Sequence, residues 1–250
     1  MDETSTDLKS WVRTLNHVEG MALLDVARPQ MTLDTWRREA QTVLTQEEAA
    51  YRSLLVKLVE RILLDHDGET IKDSVYLDLF QNGWEQLRKE LFFARYGLAH
   101  QWTILAAHEV LAPAVAQASG DEILIEVANW DAFVDRHIDP SVGESSRRKT
   151  RSSIIGLFRN MGCLTTPGGG RGPMQINRTH PSPLVYGWIL AEQLNAYPDR
   201  IFAKDWLVEH SNATALFNPF PAYARRCIDA ALRSRLIRRT PRGLGIQSAA

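Results

Sequence analysis

SSRRKTRSSIIGLFRNMGCLTTPGGGRGPMQINR, residues 145–178, is the stretch on which the reading of this chain turns. Ile154, Leu157, Phe158 and Met161 recur at the i, i+3, i+4, i+7 spacing of one buried helical face. A helix over 145–161 is therefore expected, opening at Ser145 or Ser146 and closing on Gly162 as its C-terminal glycine. Behind it, Cys163-Leu164-Thr165-Thr166, the turn from Pro167 to Pro173, and Met174-Gln175-Ile176-Asn177-Arg178 read as a hairpin over 164–178. Ahead of it, Ile123-Leu124-Ile125 forms a short apolar run. Asn129 then offers an N-cap for a helix through Trp130, Phe133, Val134 and His137, which Asp139-Pro140-Ser141-Val142-Gly143 ends.

Helix, turn, helix and hairpin follow one another as in a winged helix, whose second helix can enter a major groove while the hairpin reaches the adjacent backbone. On the wheel of the 145–161 helix, Arg148, Arg151, Ser152, Ile155 and Arg159 lie opposite the buried face, and Arg147 and Lys149 flank the first turn. Arg171 sits at the tip of the hairpin and Arg178 at its end. The competing reading of any one such run is a solvated basic face.

Charge along the chain weighs against that bland reading. Residues 1–140 hold 13 Lys/Arg against 24 Asp/Glu, whereas residues 141–250 hold 16 against 6, so a net charge of −1 conceals a bipolar molecule. The last 30 residues add Arg225, Arg226, Arg233, Arg235, Arg238, Arg239 and Arg242. So much positive charge repels itself unless a polyanion meets it, and Arg238 and Arg239 join the candidate contacts on this ground.

Most of the first 118 residues read as helix. Leu54, Leu55, Leu58, Val59, Ile62 and Leu63 keep the 3.6-residue period, with Thr45 and Glu48 as a capping box ahead of them. Met31-Thr32-Leu33-Asp34-Thr35-Trp36 resembles a capped helix start, and Trp84 to Val115 reads as two helices meeting near Gly97. Trp84, Phe92, Phe93, Tyr96 and Trp102 are expected in a core. The expected fold is thus mainly α: an acidic helical bundle over 1–118, a winged-helix module over 119–180, and a basic helical segment over 181–250. The last segment repeats the earlier ending when Thr240-Pro241 is laid on Thr166-Pro167, an offset of 74 residues, so a second winged-helix-like module is an open alternative there.

Other chemistries lack their residues. The glycine-rich turn is followed by no Gly-Lys-Ser/Thr, so it is not a Walker loop. Asp65-His66-Asp67-Gly68-Glu69 lacks the remaining spaced ligands of a calcium loop and reads as a polar turn. Ala112 stands where a zincin needs its second histidine after His108-Glu109, and no Gly-x-Ser-x-Gly elbow occurs. Cys163 and Cys227 read as reduced packing residues. No catalytic residue, metal site, cofactor or small-molecule substrate is expected. Nor is a membrane, since no apolar run reaches the ~18 residues of a span and the acidic start lacks a signal peptide's basic region. The expected location is the cytoplasm.

Glu90-Leu-Phe-Phe-Ala-Arg-Tyr96, Val110-Leu-Ala-Pro113, Trp130-Asp-Ala-Phe-Val134, Ser145-Ser-Arg-Arg-Lys-Thr-Arg151 and Leu157-Phe-Arg-Asn-Met-Gly-Cys-Leu164 together resemble the BrxA family of BREX phage-defence systems. The resemblance covers mainly residues 85–195; residues 1–40 and the glycine-rich hairpin fall outside its pattern. It implies a non-enzymatic, cytoplasmic component that binds double-stranded DNA and works beside other BREX proteins. Residue by residue it marks Ser146, Arg147, Lys149, Thr150 and Arg151. The alternative from the residues alone is a protein-interaction adaptor whose basic half docks an acidic partner subunit.

Overall fold

The computed structural model describes residues 17–45, 48–118, 122–167, 172–240 and 245–249. It is mainly helical with small antiparallel sheets. The described residues fall into two compact units, 17–99 and 100–249. Residues 101–117, expected to close the N-terminal bundle, thus belong to the second unit.

The first unit contains α1 (His17–Asp25), α2 (Leu33–Val43), α3 (Ala49–Leu63), α4 (Val75–Asn82) and α5 (Glu85–Ala99). Thr32 and Ser74 cap α2 and α4 by accepting from the backbone N–H groups of Thr35 and Leu77;. Thr45 and Glu48 do not form the expected capping box: Glu48 is itself the N-cap of α3, without a side-chain bond. Leu55, Leu58, Val59, Ile62 and Leu63 are buried as their period requires. Trp36 is fully enclosed, and its indole Nε1 donates to the Leu23 carbonyl at 3.2 Å. Trp84 departs from expectation, remaining 60% exposed.

The second unit opens with a helix in three pieces: α6 (Gln101–Ala106), a π-helical turn (Ala107–Leu111) and α7 (Ala112–Gln117). Pro113 lacks the N–H that an α-helix would aim at the Glu109 carbonyl, and the wider turn lies where that bond is missing;. Then come β1 (Ile123–Ile125), α8 (Val127–His137), α9 (Glu144–Asn160), β2 (Leu164–Thr165) and β3 (Met174–Ile176). The strands form an antiparallel sheet in the order β1-β3-β2, with Ile176 opposite both Ile123 and Leu164. Their inward residues are buried with Trp130, Ile154 and Phe158. Asn129 helps to cap α8 from its third position, its side-chain oxygen accepting from the Glu126 N–H at 3.1 Å.

A second series follows: α10 (Pro183–Asn195), α11 (Lys204–His210), α12 (Asn212–Phe217), α13 (Pro221–Arg233), β4 (Ile237–Arg239) and β5 (Ile246–Ser248). β4 pairs antiparallel with β5, and Phe202 bridges Ile246 on the other edge of β5. Phe202, β5 and β4 therefore repeat the arrangement of β1, β3 and β2. The helix ends also repeat. Gly162 N–H donates to Arg159 O and Cys163 N–H to Phe158 O; Arg235 N–H donates to Leu232 O and Leu236 N–H to Ala231 O. Both are Schellman closures, and they correspond at an offset of 73 residues, one less than the sequence alignment suggested. The left-handed position is Gly162 (φ 77°) in the first and Arg235 (φ 61°) in the second. A side chain at such a φ costs about 1–2 kcal/mol, which glycine avoids.

Close approach of α10 and α13 depends on Gly187. A Cβ there would stand 2.9 Å from the Ala231 Cβ and 3.1 Å from the Leu236 Cδ1.

Candidate nucleic-acid interface

α9 begins one residue before Ser145, with Gly143 as N-cap and no side-chain bond to close it. Its apolar residues bury a wider arc than expected, because Ile155 and Thr150 turn inward with Ile154, Leu157 and Phe158. Thr150 is only 2% exposed, and its hydroxyl donates to the Ser146 carbonyl at 3.1 Å. Neither Thr150 nor Ile155 is therefore open to a ligand, which corrects the solvent-side placement of Ile155 and the DNA-contact role that the family resemblance implies for Thr150.

The basic residues of α9 divide into two sets. Arg147 pairs with Asp135 and Arg151 with Asp131, both carboxylates on α8. The four residues form two i,i+4 ladders of opposite sign facing one another, so Arg147 and Arg151 are tied to the neighbouring helix. This corrects the expectation that both stand ready for a phosphate. It also corrects the charge argument, since residues 100–250 carry 17 Lys/Arg against 13 Asp/Glu once the carboxylates of 100–140 are counted with them. The pattern of Asp131 and Asp135 four apart, preceding Arg147 and Arg151 four apart, was a legible signal for this pairing.

The other set is exposed: Ser146, Arg148, Lys149, Ser152 and Arg159. Arg148 donates to Glu144 at 2.7 Å in an i,i+4 pair whose side chains are 66% and 85% exposed, a contact of a few tenths of a kcal/mol that a stronger anion can displace;. Arg159 donates to the Thr166 Oγ1 at 2.6 Å, which ties the end of the helix to the start of the hairpin. A Cβ on Gly156 would meet nothing, so no packing demands glycine on this helix.

The hairpin residues behave differently. Arg171 and the glycines at 168–170 lie outside the described residues. Arg178 lies beyond β3, away from the tip. Its guanidinium stacks 4.9 Å from the centroid of the Phe220 ring and donates to the Pro219 carbonyl at 3.4 Å. Arg178 therefore serves the junction with α13, which corrects its place in the candidate contact set.

In the second series Arg225 pairs with Asp205, and Lys204 with Asp229 at 2.6 Å. Arg238 and Arg239 project from β4 and are exposed. With the Gln247 amide oriented to present its oxygen, Arg238 donates to it through Nε at 2.9 Å and Nη2 at 3.2 Å. Arg233 and Arg235, which the sequence marked only as part of the basic C-terminal run, are exposed and line one cleft with Arg238 and Arg239.

Four titratable groups away from this face serve structure. Asp67 accepts the N–H groups of Glu69 and Thr70 at 2.9 and 2.8 Å, closing a turn on Gly68. Those bonds lower its pKa to about 2. Glu109 accepts from His137 at 2.8 Å and Arg136 at 2.9 Å, which holds its pKa below the usual carboxylate range. Cys163 and Cys227 are buried free thiols, and burial pushes their pKa up to about 12 and about 11. Among the described residues no cluster of three or more His, Cys, Asp or Glu could hold a metal ion, and no helix is long and apolar enough to cross a membrane. Comparisons with family models, curated proteins and solved structures returned no match to this chain.

Proposed function

We propose that this chain is a non-enzymatic double-stranded DNA-binding protein of a bacterial BREX phage-defence system, with residues 123–176 acting as a winged helix. The observation that carries the reading is the solvent face of α9, where Ser146, Arg148, Lys149, Ser152 and Arg159 stand exposed. The order β1, α8, α9, β2, β3 and the central position of β3 support it, since a winged helix requires a helix pair followed by a hairpin folded onto the preceding strand. Small side chains at Ser152 and Gly156 between Lys149 and Arg159 leave room for a duplex backbone to come close. Arginine and lysine on such a helix position it on phosphates and do not by themselves choose a sequence. The BREX assignment, the cytoplasmic location and partnership with other BREX proteins rest on the sequence resemblance to the BrxA family.

Fluorescence anisotropy with a labelled duplex tests this at several salt concentrations. The logarithm of affinity should fall linearly with that of salt, with a slope of about −0.9 for each phosphate engaged. Salt-independent binding, or none at low salt, refutes the proposal.

A further inference from the structure

We propose that the cleft between the end of α13 and the β4–β5 hairpin is a second phosphate-binding site, which grips the nucleic-acid backbone independently of α9. Arg233, Arg235, Arg238 and Arg239 line this opening of about 670 Å³. All four are exposed. Asp229 is the acidic residue of the lining, and it is already engaged by Lys204 at 2.6 Å. No ion pair joins any of the four guanidinium groups to a described carboxylate, in contrast to Arg147 and Arg151 of the first series.

The backbone adds a separate observation. The closing turn of α13 needs a left-handed residue, which the equivalent turn of α9 supplies as Gly162. At Arg235 the chain instead carries a long cationic side chain at φ 61° and bears the conformational cost;. Packing does not explain it, because Arg235 is exposed. What the residue adds is a fourth arginine to the lining of the cleft, beside two carried by β4. Guanidinium forks match phosphate oxygens bidentately, so arginines along the lining of one opening suit the phosphates of a backbone better than a lone carboxylate.

The inference rests on the duplex-binding reading, because the backbone it grips is that of the same DNA. The test compares the full chain with two double variants, R235G/R239Q for the cleft and R148A/K149A for α9, on a labelled duplex across salt concentrations. R235G relieves the strained backbone, so the cleft variant should melt no lower than the parent, which separates lost binding from lost folding. Loss of two phosphate contacts should reduce the salt slope by about 1.8, equivalent to about 12-fold less dependence of affinity between about 50 and 200 mM salt. A cleft variant that binds with parental affinity and slope, while R148A/K149A weakens, overturns the second site and leaves α9 standing. The reverse pattern supports the cleft and overturns α9 as the contact. A parent chain that binds no duplex overturns both.

Discussion

Arg147 and Arg151 lie within about one helical turn of Arg148 and Lys149, yet their removal should have opposite consequences;. R147A/R151A deletes two cations already held by Asp135 and Asp131, with only 26% and 22% of their side chains exposed. R148A/K149A deletes two that face solvent. Each exposed or half-exposed ion pair is worth at most about 1 kcal/mol, so losing both α8–α9 pairs should cost at most about 2 kcal/mol and lower the melting temperature by roughly 4–8 °C. The Arg148–Glu144 pair should cost about 0.3–0.5 kcal/mol. Binding should divide the other way. If Arg148 and Lys149 each neutralise one phosphate, R148A/K149A flattens the salt slope by about 1.8, while R147A/R151A leaves it unchanged. Circular dichroism melts and duplex anisotropy on the same two proteins measure both quantities. An R147A/R151A protein of unchanged stability whose salt slope drops by as much as that of R148A/K149A would show that the α8 carboxylates release their arginines to the ligand, refuting the division drawn here.

Other outcomes follow from packing and protonation. Gly187→Ala should destabilise by about 1–3 kcal/mol in urea unfolding, because the added methyl meets Ala231 and Leu236;. Trp36→Ala should cost about 3–5 kcal/mol, whereas Trp84→Ala should stay within about 0.5 kcal/mol of the parent, since the first is enclosed and the second exposed;. Glu109 has its folded pKa below the ordinary value, so its contribution is full above that value and disappears as pH falls through the lowered one; Glu109→Gln should flatten that part of an acid-unfolding curve;. Ellman's reagent should label Cys163 and Cys227 only slowly in the native protein and both rapidly in urea, because burial keeps each thiol protonated;.

Periodicity made the helices legible, and the Pro- and Gly-rich turn from Pro167 to Pro173 between two short segments marked the hairpin. Ile154, Leu157 and Phe158 announced the buried face of α9 because helical spacing leaves few other solutions;. Ile155 and Thr150 escaped that reading because a helix flanked on two sides buries a broader arc than an amphipathic wheel assumes. Asn129 was visible as a capping residue, but it caps from the third helical position, so the N-cap is Glu126, three residues earlier. Long-range pairing was hardest to see. Nothing in the local sequence at Arg178 signals that Phe220, 42 positions later, provides its stacking surface. Asp131 and Asp135 did carry a signal in their spacing, which a count of net charge by halves obscured.

The one-residue difference between the two repeat offsets has its own lesson. Laying Thr-Pro on Thr-Pro pairs like letters, whereas the amide and carbonyl groups that finish α9 and α13 count back by one from there. What the two segments share is a way of stopping a helix, written once with glycine and once with arginine. The recurrence lies in the main chain and not in residue types, so it surfaces when donors and acceptors are matched and stays hidden when letters are.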